Sequence, residues 1–199
     1  MINLTWNEIC DNRNATFNWT SQVPDLALIK NVIQSVHNYA PSKQRRVRYN
    51  IDVLANYSDI PRRNEIYAGT LSNPDKPTSR YNPQVLAPWL LSFSIRPEAN
   101  VENRSAASYE VEAWIDVGIA VQHTTLAATA MGLDVGFCLC IQNRGTDPLR
   151  NNRNPIMYMG LGHADPATEY FCPIRKQMAQ VPANAHDTKP TLEEYVYYK

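Results

Sequence analysis

Between Glu110 and Gly132 the chain reads EVEAWIDVGIAVQHTTLAATAMG, a proline-free run long enough for about six helical turns. Ile115, Ile119, Leu126 and Ala130 fall near one stripe at helical spacing, while Val117, Val121 and Ala127 lie elsewhere around the same helix. A helix that is apolar nearly all round must be buried on several sides, so this segment is expected at the centre of the fold. Gly132 supplies a C-terminal stop, because glycine enters the left-handed conformation without steric cost.

The remaining segments provide material to pack around that helix. Thr5-Trp-Asn-Glu8 has the spacing of a capping box and predicts a short first helix. Val23-Pro24-Asp25 opens a second helix, with proline in its first turn and Leu26, Ile29, Ile33 and Val36 on one face. Pro41 ends it by disfavouring helical geometry at Ala40. Val47, Tyr49, Ile51 and Val53 alternate with polar residues, the period of a half-buried strand. WLLSFSI, VGFCLCI and PIMYMGLG read as buried strands, and a further short helix is expected near Asn64 to Leu71. Helices, strand, loop, strand, long helix and two strands make an α+β domain. The reading is one domain over residues 1–199, with a proline-rich excursion at about 61–88 and a C-terminal extension from about 169.

Charge and cysteine usage narrow the classes of partner. Lys plus Arg and Asp plus Glu number 19 each, so no global basic field advertises nucleic acid. Cys10, Cys138, Cys140 and Cys172 lack the paired spacing of a disulfide framework or zinc site, and Cys138 and Cys140 read as small core hydrophobes. MINLTWNEIC has no basic region followed by a long apolar run, and no window approaches about 18 consecutive apolar residues. A soluble, reduced, cytoplasmic protein that binds neither nucleic acid nor membrane is the expectation.

Motifs with a built-in mechanism are missing: the sequence contains no G-x-G-x-x-G after a strand, no Walker loop, no H-E-x-x-H and no G-x-S-x-G. His37, His123, His163 and His186 are too dispersed for a local metal motif, and His123 is expected in the core with a backbone partner. Asp116 shares a helix face with His123, but no nucleophile completes a triad. Lys43, Arg45, Arg46 and Arg48 follow the helix stop, with Arg46 and Arg48 expected to alternate outward from a strand edge. Ser42 and Lys43 occupy the helix-to-strand turn, where amides, a hydroxyl and an ammonium can meet an anion or polar heterocycle.

Four segments, in order and spacing, resemble the FMN-dependent nitroreductase family. They are Arg13-Asn-Ala-Thr-Phe-Asn-Trp19 with Val23-Pro24-Asp25, then Tyr39-Ala-Pro-Ser42 with Gln44, then Ala87-Pro88-Trp89, and last Asp116 to Gln122 through Met131-Gly-Leu133. The resemblance runs from residue 13 to about 196. It implies an α+β fold on a mixed, mostly antiparallel sheet, and a homodimer with FMN at the subunit interface and the long helix packed against its mate.

Carried onto this sequence, the resemblance places Arg13 on the FMN phosphate, with Asn14 and Ala15 as neighbouring contacts. Pro41, Ser42, Lys43 and Gln44 would form the opposite subunit's wall. The backbone of Leu133, Asp134 and Val135 would lie along the flavin, and Lys189 would complete the phosphate site, with Arg175 and Lys176 as alternatives. The chain departs from the family pattern at Ala15, where serine is usual, at Phe17, where a second basic residue is usual, and at Asp134, in place of the second glycine of Gly-Leu-Gly. Lys43 is the candidate replacement for the charge missing at Phe17.

The activity so implied is transfer of electrons from NAD(P)H through FMN to electron-poor small molecules such as nitroaromatics or quinones, by ping-pong kinetics. The protein supplies placement and the cofactor the chemistry, with no catalytic side chain required. A flavoenzyme with a dedicated physiological substrate and a non-catalytic flavin-binding or interaction protein are the rival readings.

Overall fold

The computed structural model describes residues 4–13, 15–42, 46–70, 81–96, 106–139, 141 and 154–165. The Cys140 reading, residues 71–80 of the proline-rich excursion and the C-terminal extension fall outside these residues. Helix α1, Trp6–Asn12, begins at the expected capping box: Thr5 accepts from the Glu8 N–H, and the Glu8 carboxylate accepts from the Thr5 N–H at 2.7 Å. Helix α2, Leu26–Tyr39, starts after the Val23-Pro24-Asp25 segment expected to hold its first turn. Asp25 is its cap, accepting from the Ala27 N–H at 3.0 Å, which leaves Pro24 outside the helix. Ile29, Val32 and Val36 form its buried face, whereas Leu26 is exposed. Ala40 ends it in an extended conformation ahead of Pro41.

Strand β1 is Tyr49–Ala55 and helix α3 is Ile60–Ala68, capped by Asp59 and starting four residues before the expected position. A 3-10 turn, Pro83–Leu86, leads into β2, Trp89–Ile95. Helix α4, Ala106–Ala130, is followed by β3, Asp134–Cys138, and β4, Pro155–Gly162. Gly132 ends α4 at φ 77°, a value that favours glycine, and the Leu133 N–H then reaches back to the Ala128 carbonyl at 2.9 Å.

The four strands lie in the order β1-β2-β4-β3 and pair antiparallel throughout. Among the described residues the parallel component is one bridge, Ala15 to Val135. The strand period of two divides the sheet into two faces. Tyr49, Trp89, Leu91, Phe93, Val135, Met159 and Leu161 join the main core with α2 and α4. Leu54, Leu90, Cys138 and Tyr158 form a smaller cluster with Ile66 and Val85 on the other side.

Helix α4 is long and central, but it is not covered all round. Ala113, Val117, Ala120, Thr124 and Ala128 are buried, whereas Val111 and Ile115 are 59% and 56% exposed and Trp114 is 38% exposed. Its apolar residues outnumber the positions that α2 and the sheet can cover. Among the described residues, Val111, Trp114, Ile115 and Gly118 form an open face.

Candidate functional site

The first group of anticipated site residues meets at the edge strand β3. Arg13 closes α1, its N–H donating to the Ile9 carbonyl at 3.1 Å, and its side chain is exposed. The chain then crosses the sheet. Ala15 bridges Val135, and the Thr16 N–H donates to the Val135 carbonyl at 2.7 Å. Gly136 makes that approach possible, since a Cβ there would fall far inside contact distance of the Thr16 carbonyl. Farther on, Trp19 bridges Ala164, and its indole donates to the Pro83 carbonyl at 3.2 Å. Gly160 and Gly162 leave the space that its ring fills.

Leu133 and Val135 send their side chains into the main core. Asp134 is half-buried, and one of its carboxylate oxygens accepts from the Ala164 N–H at 2.7 Å. That bond ties the entry of β3 to the residues after β4. The structure therefore brings Ala15 against the 133–135 turn, with Arg13 two residues earlier at the end of α1. Asn14 and Lys189 lie outside the described residues.

The second group sits elsewhere. Pro41 and Ser42 line a cleft of about 340 Å³ with Glu112, Ile115, Asp116 and Ile119 of α4. Lys43 and Gln44 are not among the described residues. Asp116 and the end of α4 at Ala130 are separated by about 20 Å along the helix axis. Within one chain, the Pro41–Ser42 cleft thus lies against residues 112–119 of α4, whereas the 133–135 turn follows the helix's C-terminal end.

Beside the cleft lies an ion cluster that the sequence reading missed. Arg48 is 1% exposed rather than turned to solvent. Its guanidinium reaches Glu112 at 2.7 Å and Asp116 at 3.1 Å, and its backbone N–H donates to the same Asp116 oxygen at 3.3 Å. The alternation that placed Arg48 outward fails because β1 begins at Tyr49 and Val47, just before, adopts φ 34°. A β-branched residue in that region is strained at a cost of about 1 to 3 kcal/mol. Taking one partner from such a buried cluster costs about 3 to 5 kcal/mol, since charge is left without its counterpart. The available signal was a carboxylate pair one helical turn apart, Glu112 and Asp116, in a largely apolar helix.

Burial, with the Asp116 charge adding to it, pushes the Tyr49 phenol above its ordinary value of 10.0. His123 is half-buried instead of deep in the core, and its Nε2 meets the Ser35 hydroxyl at 3.2 Å rather than a backbone group. The Tyr39 ring stacks on it at 6.4 Å.

Fold and site together define an α+β protein with a segment laid across an edge strand and a cleft on its central helix. Neither a family model nor a curated protein matches the sequence. Solved structures do match. A protein from Exiguobacterium sibiricum solved in complex with FMN is 14% identical with a TM-score of 0.70, over 100% of this chain and 99% of that one. A nitroreductase family protein from Streptococcus pneumoniae is 14% identical with a TM-score of 0.65, over 98% and 100% of the two chains. A nitroreductase from Bacteroides fragilis with bound FMN is 17% identical with a TM-score of 0.61, over 81% and 89%. The chain has the nitroreductase fold.

Proposed function

We propose that this chain is an FMN-dependent oxidoreductase acting as a homodimer, taking electrons from NAD(P)H and passing them to electron-poor acceptors such as nitroaromatics or quinones. The observation that carries the reading is the separation of the two residue groups along α4. The 133–135 turn follows the C-terminal end of that helix, whereas Pro41 and Ser42 meet it at residues 112–119, where the open face of Val111, Trp114, Ile115 and Gly118 shares Ile115 with the cleft. A second copy packed on that face would bring one group from each chain to a shared site. Similarity of fold to two proteins solved with FMN supports the choice of cofactor.

The residues suit such a group. Arg13 is an exposed guanidinium able to hold a phosphate through two donors, with Asn14 beside it. Lys189 would add a second cation, with Arg175 and Lys176 as alternatives. The close approach of Ala15 to β3, permitted by Gly136, puts backbone rather than side chains alongside the 133–135 turn. A cleft of about 340 Å³ is at the small end for ligand sites, in keeping with one wall of a divided site. Pro41 and Ser42 would begin that wall, and Lys43 and Gln44 follow them in the sequence. Bound there, FMN would supply the two-electron redox chemistry, and these residues would hold and orient it.

Purified protein should be yellow, or take up added FMN stoichiometrically, and NADH or NADPH should bleach the flavin band until a nitroaromatic or quinone restores it. A colourless preparation that takes up no FMN would sink the proposal. Bound flavin that neither nicotinamide reduces would remove the NAD(P)H half.

A further inference from the structure

We propose that Arg48 is a positioning residue for the cofactor wall, locking the Pro41–Ser42 turn onto α4 through Asp116 and Glu112. The inference rests on the FMN reading above and adds to it the device that sets the wall in place.

The turn is closed at its base, where the Ser42 hydroxyl accepts from the Val47 N–H at 3.2 Å. Val47 holds φ 34°, which a β-branched residue leaves unless its neighbours hold it there. Both flanks are held. The Arg96 guanidinium donates to the Arg46 carbonyl at 3.1 Å, and the Arg96 N–H donates to the Arg48 carbonyl at 3.0 Å. Arg48 then grips α4 with its backbone N–H and both arms of its guanidinium.

The carboxylates it grips are not remote from the wall. Glu112 and Asp116 line the same cleft as Pro41 and Ser42 and alternate along α4 with Ile115 and Ile119. The latch therefore fixes the spacing between the turn and the helix, which is the width of the cleft. A well-packed hydrophobic residue could hold β1 to α4 without the cost of desolvating three charges, but it would not define one geometry. A planar, forked guanidinium can address two carboxylates at once, whereas the compact ammonium of lysine cannot reproduce that arrangement.

The test compares the full chain with Arg48→Met, Arg48→Lys and Glu112→Gln. Hydrogen exchange on the flavin-free proteins, read on peptides spanning the turn before β1, reports the latch itself. FMN titration and the visible circular dichroism of bound flavin report its consequence. All three variants should exchange faster in the turn, with β4 unchanged. FMN should bind about tenfold more weakly to Arg48→Met as preorganisation is lost, and Glu112→Gln should show a smaller loss with altered dichroism. Arg48→Lys should not restore wild-type behaviour. If Arg48→Met does not fold, Glu112→Gln at its partly exposed position carries the same comparison. Unchanged exchange in the turn overturns the latch, and faster exchange with wild-type FMN affinity and dichroism overturns its role at the wall. A wild-type chain that binds no FMN overturns the proposed function and the wall with it, while the exchange measurement still decides whether the latch exists.

Discussion

Gly136 and Gly118 show how differently one residue type can be constrained. At Gly136 a methyl group would collide with the Thr16 backbone, and both partners are main chain with little freedom to move. Gly136→Ala should therefore cost about 1 to 3 kcal/mol, read as a lower urea midpoint, through displacement of the segment that carries Ala15 and Thr16. An unchanged midpoint would mean that the segment does not cross the sheet there. Tyr49 offers a test in pH. Its folded-state pKa is raised above the ordinary 10.0, so the folded chain retains the phenolic proton longer than the unfolded one. The resulting stabilisation is complete below the unfolded value and disappears as pH rises through the folded one. Spectrophotometric titration should show a late-ionising tyrosine that Tyr49→Phe removes. The variant should also lose stability less steeply above pH 10.

Helix α4 is the element on which the proposed assembly turns. Nothing lies within 4 Å of a Cβ placed at Gly118, yet glycine in a helix interior costs about 1 kcal/mol relative to alanine. Its cost is unexplained inside one chain and reasonable where another helix must approach closely. Val111, Trp114 and Ile115 surround it with apolar surface. Under the dimeric reading, Trp114→Glu together with Ile115→Glu should convert the protein to monomer in analytical ultracentrifugation and abolish FMN uptake. Near-native far-UV dichroism should persist, because those side chains contribute little to the single-chain core. A wild-type chain that sediments as a monomer at micromolar concentration would refute the assembly.

At the scale of the whole molecule, what could be read in advance followed the range of the interactions involved. The capping box at Thr5 and Glu8, the stop at Pro41, the buried strand Trp89–Ile95 and the exit at Gly132 are local patterns, and the structure contains each of them. Arg48 was placed on the wrong side because period-two alternation was continued past the start of β1, through a residue whose positive φ no local pattern announces. Local patterns in the sequence set most of the elements and their order, since capping, periodicity and turn chemistry act within a few neighbours. Contacts at long range place Arg48 between two carboxylates, tie Asp134 to Ala164, and set the Pro41–Ser42 cleft against residues 112–119 of α4, away from the 133–135 turn. Those outcomes depend on contacts between residues distant in sequence, which form only when the sheet and α4 close on one another.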